Sequence, residues 1–328
     1  MLSASMHPFC PVCGSEKLFS MLCPVKLVSA APVYGLAECP DCLTRFISPT
    51  PEPEEIKRFY TPQYYGGDWY KQEEKGRVFG HKMLRRGFGE KILDVGCSLG
   101  FFIYGLSRVS GWEVYGTEIS PEAAAFARNH LGLDVHCGEL AEAKYEDQFF
   151  DYVRVNNVLE HVSDPLRFLK ECRRILRPEG KLYLSVPNGL ADSAGLLKYF
   201  HGKQQTPRSK DGHLFFFSRA ALFGLFKASN FEIIDAHTYG IRRGLRAFGW
   251  YPPKPGWHEP YMSREEEIKA PEEKPEEETD SSEGEIVLPP RPRRLPGYAD
   301  WRFRMFRLKR LPGLLKFGLD FEILLQAR

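Results

Sequence analysis

Four of the eight cysteines fall into two pairs, Cys10-x-x-Cys13 and Cys39-x-x-Cys42. Each pair sits in a knuckle-like run, Cys-Pro-Val-Cys-Gly and Cys-Pro-Asp-Cys. Two such pairs can close a four-thiolate tetrahedron around Zn2+, whose softness thiolates match. The 25 residues between the pairs are enough for a hairpin. A closed set of four thiolates leaves no open coordination position, so this zinc is expected to be structural. Neither pair is followed by a strand–helix pattern, which argues against a redox role.

A second cluster is Asp94-Val95-Gly96-Cys97-Ser98-Leu99-Gly100, followed by Glu118. It reads as a strand, a glycine-containing turn and a helix. Such glycines let the backbone approach a ligand at the helix N-terminus. An acid at the tip of the next strand can grip ribose hydroxyls. A dinucleotide loop places glycine at relative positions 0, 2 and 5, whereas here glycine stands at 0 and 4. Gly96-x-Ser98-x-Gly100 also fits a hydrolase nucleophile elbow. An elbow normally follows several strands and an oxyanion loop, and this run opens the sheet.

The elements that must hold these residues alternate between 91 and 239. Expected strands are 91–96, 113–119, 134–137, 150–156, 181–186 and 231–237. Expected helices are 101–109, 120–130, 164–176 and 218–228, with Ser120-Pro121, Asp164-Pro165 and Ser218 as start signals. This alternation predicts an α/β fold with a mostly parallel sheet. Residues 188–211 read as a long polar loop, made basic by Lys198, Lys203, Arg208 and Lys210.

The run at Asp94 resembles motif I of class I S-adenosylmethionine (SAM)-dependent methyltransferases, Asp/Glu-x-Gly-x-Gly-x-Gly. The resemblance covers roughly 91–239. It extends to Glu118, to Phe150-Asp151 with Leu159-Glu160-His161, and to Leu176-Arg-Pro-Glu-Gly180. Ser98 departs from it, standing where the middle glycine is usual. The resemblance implies a Rossmann-like seven-stranded sheet with an antiparallel last strand. It implies that Asp94 and the loop Gly96, Cys97, Ser98 and Gly100 meet the methionine end of SAM. Glu118 would take the ribose and Ile119 the adenine. Glu139 or Leu140 would touch the adenine amine or ring, and Asn156 would receive the methionine amino group. His213 and His161 compete as catalytic base for a hydroxyl acceptor. His213 is favoured because the 188–211 loop beside it could form an acceptor pocket. The basic loop suggests an acidic acceptor. Tyr60, Tyr64, Tyr65, Trp69 and Tyr70 are expected to form a lid or substrate wall.

The chain has 328 residues and a net charge of +2, but the charge is segregated. Residues 265–285 hold 11 acids against two lysines, and 291–310 hold eight basic residues against one acid. The first stretch is expected to be disordered and the second a basic amphipathic segment. Asp320-Phe-Glu-Ile-Leu-Leu-Gln-Ala-Arg328 reads as strand seven of the sheet, the antiparallel partner of 231–237. The expected organisation is a zinc-ribbon-like module at 1–50 and a helical linker or lid at 51–90. A methyltransferase domain follows at 91–239 plus 320–328, with an insertion at 240–319.

Hydrophobic residues at 43% exclude wholesale disorder. No apolar run reaches about 18 residues, and the first ten lack a signal-peptide pattern. The expectation is a cytoplasmic enzyme with SAM and structural zinc, acting on a small molecule, with a sugar or cell-envelope metabolite favoured. Peripheral membrane contact through 291–316 is a secondary expectation. The alternative is an RNA methyltransferase or nucleic-acid-binding protein that uses the zinc module and the basic segment.

Overall fold

The computed structural model describes residues 8–27, 33–52, 55–56, 60, 69–85, 90–109, 111–209, 212–239 and 320–328. Tyr64, Tyr65, Lys210, the acidic stretch 265–285 and the basic segment 291–316 lie outside these residues.

Strands β1 (Ser20–Lys26), β2 (Val33–Glu38) and β3 (Arg45–Ser48) form an antiparallel meander. Helix α1 (Trp69–Leu84) leads into a second sheet. There β4 (Lys91–Val95), β5 (Glu113–Glu118), β6 (Asp134–Cys137), β7 (Phe150–Asn156) and β8 (Leu176–Pro187) run parallel. The crossovers carry α2 (Phe101–Ser107), α3 (Pro121–Leu131) and α4 (Pro165–Ile175). Next come α5 (Gly189–Lys203), β9 (Phe215–Phe216), α6 (Arg219–Ala228), β10 (Phe231–Tyr239) and β11 (Asp320–Ala327).

The large sheet has the order β10-β11-β8-β7-β4-β5-β6. Its central strands are apolar on both faces, and Leu93, Val153, Val155 and Leu184 are fully buried. That is the pattern of a parallel sheet covered by helices on both sides. Ser120, Asp164 and Ser218 accept the backbone N–H groups of Ala123, Arg167 and Ala221. Each such cap stabilises its helix by about 1 kcal/mol. Strand β11 lies antiparallel between β8 and β10. Glu322 on β11 ties the three strands together, accepting from Tyr183 and pairing with His237. The chain reverses its direction across the sheet at β4, which neighbours both β5 and β7. Open α/β sheets bind ligands beyond the strand ends at such a switch point.

Two results differ from the sequence expectation. The 188–211 stretch is not a loop: most of it is the helix α5. Its two internal glycines, with Asp192 and Ser193, gave a loop-like composition. The helix is held by burial of Ala191, Ser193 and Leu196 instead, so packing overrides propensity. The fifth parallel strand also begins earlier than expected, at Leu176, through pairing of Leu176 with Phe150.

The small sheet is not confined to the N-terminal region. Its order is β1-β2-β3-β9, so its fourth strand comes from residues far downstream. Arg45 and Phe46 pair with Phe216 and Phe215. The Ile47 amide donates to the Leu214 carbonyl at 2.9 Å. The Ser218 hydroxyl donates to the Cys42 carbonyl. Arg45 bridges Glu38 at 2.7 Å and the Ser193 hydroxyl of α5 at 2.8 Å.

Candidate active site

The strand ends at the switch point open onto a cavity of about 930 Å³. Its floor is the turn after β4. Gly96, Ser98 and Gly100 all have positive φ, at 67°, 56° and 82°. Glycine adopts this region without strain, whereas an L side chain there costs roughly 1–2 kcal/mol. This explains the alternate glycines of the motif, and Ser98 fills the middle position at that cost. Gly96 is also sterically required, since an added Cβ would lie 2.5 Å from Val158 Cγ2.

Asp94 at the end of β4 is 1% exposed. Its Oδ1 accepts from Arg154 Nη1 at 2.6 Å, while its Oδ2 has no partner among the described residues. Burial pushes the Asp94 carboxyl up and Arg154 pulls it back. Arg154 is itself stacked on the Phe102 ring at 3.9 Å. Glu118 at the tip of β5 accepts the Ser98 amide at 2.8 Å and the Ser120 amide at 3.0 Å. These two bonds fix the orientation of the Glu118 carboxylate. Cys97 lies in the wall, and burial pushes its thiol well up, so it stays protonated.

Of the ten residues expected at the cofactor, nine line this cavity: Asp94, Gly96, Cys97, Ser98, Glu118, Ile119, Glu139, Leu140 and Asn156. Gly100 does not line it; it stands at the cap position of α2 and shapes the turn from behind. Tyr60 and Trp69 also line the cavity, and the Trp69 ring packs against Phe101 at a tilt of 37°, with centroids 4.9 Å apart. Helix α1 reaches that place by close backbone contact with α2. A Cβ on Gly76 would lie 1.9 Å from the Phe102 carbonyl oxygen, and one on Gly105 would lie 1.9 Å from that of Glu73.

His161 lies across the cavity wall. His213 is not among the lining residues and stands behind it, with ring centroids 4.9 Å apart. The Glu160 carbonyl accepts the Leu214 and Phe215 amides, which docks the His213 segment. His161 Nδ1 donates to the Gly212 carbonyl at 3.2 Å, and His213 Nδ1 donates to Asp192 Oδ2 at 2.7 Å. Both Nε2 atoms face Glu160 Oε1, at 3.9 and 4.0 Å. Glu160 is 0% exposed. Burial pushes its carboxyl up to about 7 and pushes His161 down to about 3. The sequence reading missed Glu160, Asp192 and Arg154. Glu160 was adjacent to a chosen residue, but Asp192 lay in the supposed loop. Lys198, Lys203 and Arg208 do not line the cavity, so the basic stretch read as acceptor-side lies elsewhere; the cations in the wall are Arg154, Arg167, Lys170 and Arg174.

The four cysteines sit in two matching knuckles. The Gly14 amide bonds to the Cys10 carbonyl, and the Leu43 amide to the Cys39 carbonyl. Gly14 and Leu43 share a positive φ, 74° and 58°. The sulfurs pair at 3.8 Å for Cys10–Cys42 and 3.7 Å for Cys13–Cys39, and all four lie within 4.8 Å of one another. Tetrahedral zinc with Zn–S near 2.3 Å needs S···S of about 3.8 Å. The donor set therefore fits zinc.

The sequence matches the family described as "Methyltransferase domain" over residues 54–236. The chain belongs to this methyltransferase family. SAM is the cofactor that membership carries, and the orphaned Asp94 Oδ2 and the oriented Glu118 fit its amino and ribose groups. Among curated relatives, a "Ubiquinone biosynthesis O-methyltransferase" of Coxiella burnetii is 33% identical over 105 residues, 30% of this chain and 44% of the relative. A "Probable S-adenosylmethionine-dependent methyltransferase" of Mycolicibacterium smegmatis is 28% identical over 180 residues, 54% of this chain and 63% of the relative. The chain thus spans less than half the length of the first of these relatives. A solved structure from Thermotoga maritima, titled a SAM-dependent methyltransferase and possible histamine N-methyltransferase, has a TM-score of 0.46 and 18% identity. That similarity covers 84% of this chain and 99% of the other. No helix among the described residues is long and apolar enough to cross a membrane.

Proposed function

We propose that the chain transfers the SAM methyl group to a small-molecule acceptor, held between the Gly96–Gly100 turn and His161. The observation that carries this reading is one cavity with the cofactor residues at one end and His161 in its wall. When bound, SAM supplies an electrophilic sulfonium methyl. Asp94 would meet the methionine end of SAM, and the backbone of Asn156 at the tip of β7 would receive its amino group. Glu118 would accept from the ribose, and Ile119, Glu139 and Leu140 would enclose the adenine. Tyr60 and Trp69 exclude water. Alignment supplies most of the rate, since oriented reactants gain about 7–11 kcal/mol over free ones.

A hydroxyl acceptor must lose a proton. Hydrogen bonding of Nδ1 to Gly212 leaves the lone pair of His161 on Nε2, next to buried Glu160. His161 touches the acceptor, and His213 positions it from behind. A relative named as an O-methyltransferase supports a hydroxyl, and a sugar or envelope metabolite is the acceptor class we favour, by carbon or oxygen methylation. The cysteine knuckles hold structural zinc, in an N-terminal module whose sheet is completed by β9.

Calorimetry with SAM, using Glu118→Ala as control, tests the cofactor half: no heat with the wild type removes the proposal. Labelled-methyl transfer into cell extract, with products identified by mass spectrometry, then names the acceptor. Label found only in RNA would replace the small-molecule reading.

A further inference from the structure

Glu160 poses a problem that methyl transfer does not solve. Its carboxylate is completely buried, and neither oxygen has a hydrogen-bond partner among the described residues. A buried, unpaired carboxylate is costly, and buried charges are as a rule paired or bound to a metal. Its Oε1 faces the Nε2 edges of two histidines, at 3.9 and 4.0 Å, beyond hydrogen-bond distance. One ligand atom from each of Glu160, His161 and His213 lies within 4.8 Å of the others.

The orientation of the rings is the second observation. In each, Nδ1 is the proton-bearing nitrogen, fixed by an acceptor: the Gly212 carbonyl for His161 and the Asp192 carboxylate for His213. The nitrogen turned toward Glu160 is therefore the one that carries the lone pair. Metal-binding histidines show this arrangement, with the far N–H held by a carboxylate or carbonyl. Two imidazoles and one carboxylate bind divalent transition cations. Metal–ligand bonds near 2.1 Å at tetrahedral angles place ligand atoms about 3.4 Å apart. The two carboxylate–imidazole separations are about half an ångström longer, and the three ligand atoms lie within 4.8 Å of one another, so small side-chain rotations must draw them together.

We propose that Glu160, His161 and His213 form a second metal site, for a divalent cation such as Zn2+, with Asp192 as the residue that orients His213. The site is separate from the cysteine knuckles and differs from them in chemistry, with nitrogen and oxygen ligands and only three protein donors. Three donors leave coordination open, and His161 belongs to the cavity wall. The site stands on geometry alone; only its use, to acidify an acceptor hydroxyl, rests on the methyl-transfer reading. With the cation bound, His161 is a ligand and not the base, and the cation would lower the pKa of the acceptor hydroxyl in its place.

The test is a count of bound zinc by elemental analysis after equilibrium dialysis of the full-length chain in low-micromolar Zn2+. The wild type should hold one equivalent more than Glu160→Leu, which removes both oxygens and fills their volume. The readout is the difference, so it does not depend on what the cysteines hold. Equal counts overturn the proposal. Asp192→Asn, titrated in parallel, should bind this second zinc about 10–100-fold more weakly. If Glu160→Leu does not fold, that titration decides, and an unchanged affinity overturns the proposal. Loss of SAM binding with the zinc difference intact would sink the methyl-transfer reading and leave the site standing.

Discussion

The two ends of the cavity are built in opposite ways. The end proposed for the cofactor comes from two short segments, Asp94–Gly100 and Glu118–Ser120, each at the tip of a strand and joined by the Glu118 carboxylate, which accepts the Ser98 and Ser120 amides. The end proposed for the acceptor is assembled from remote pieces. Glu160-His161 follows β7, Asp192 lies on α5, and His213 precedes β9, which is held by β3 of the small sheet. A local turn tolerates damage elsewhere in the molecule. An assembled wall depends on every piece that meets there.

That contrast can be broken first at the shared foundation. Deleting residues 320–328 removes β11 from between β8 and β10, so both ends should fail. No cooperative thermal transition and no SAM binding are expected, and a folded truncated chain would refute the central place of β11. Cys39→Ser should act on one end only. Losing a thiolate from the knuckle loosens β3 and hence β9, lowering Tm on the order of 10 °C. Methyl transfer should fall strongly while calorimetric SAM affinity stays within about threefold. Equal loss of both would show that the two ends are not separable.

Glu118→Ala should do the reverse. It removes a carboxylate and leaves the Ser98 and Ser120 amides unpaired, at about 1.5–3 kcal/mol for each charged bond. SAM affinity should drop about a hundredfold, with metal content unchanged. Arg45→Met is the finest probe. It cuts the links from β3 to Glu38 and Ser193, worth about 1 kcal/mol between them. The expected result is a Tm shift of a few degrees and a lower kcat, with KM for SAM unmoved. A raised KM for SAM would place Arg45 in the cofactor half.

The same contrast decides what could be read from the sequence. Residues 94–100, Glu118 and the capped helices were legible because their signals are local: a glycine spacing, a strand tip, a Ser-Pro start. Strand β11 was legible because the family resemblance implies a seventh, antiparallel strand and residues 320–328 are a strand-like run late in the chain. The basic loop was misread because helix α5 owes its form to burial of Ala191 and Leu196, which composition does not show. Asp192 was lost with it. Glu160 was in view, but its meaning arises only when His213 is folded against it from more than 50 positions away. Of the five aromatics expected as a lid, Tyr60 and Trp69 line the cavity, Tyr70 does not, and Tyr64 and Tyr65 fall outside the described residues.

The sheet order also constrains how the chain is made. β10 ends at Tyr239 and β11 begins at Asp320, yet β11 fills an interior slot rather than an edge. On the ribosome, β10 is complete about 80 residues and β8 about 130 residues before their common partner is made. For that interval each carries a row of unpaired N–H and C=O groups, and β8 does so on an apolar strand with a fully buried Leu184 in the finished fold. Non-local pairing of this kind is slow to form. The nascent protein therefore passes through a stage with a cleft in its main sheet, open to any strand that reaches it first.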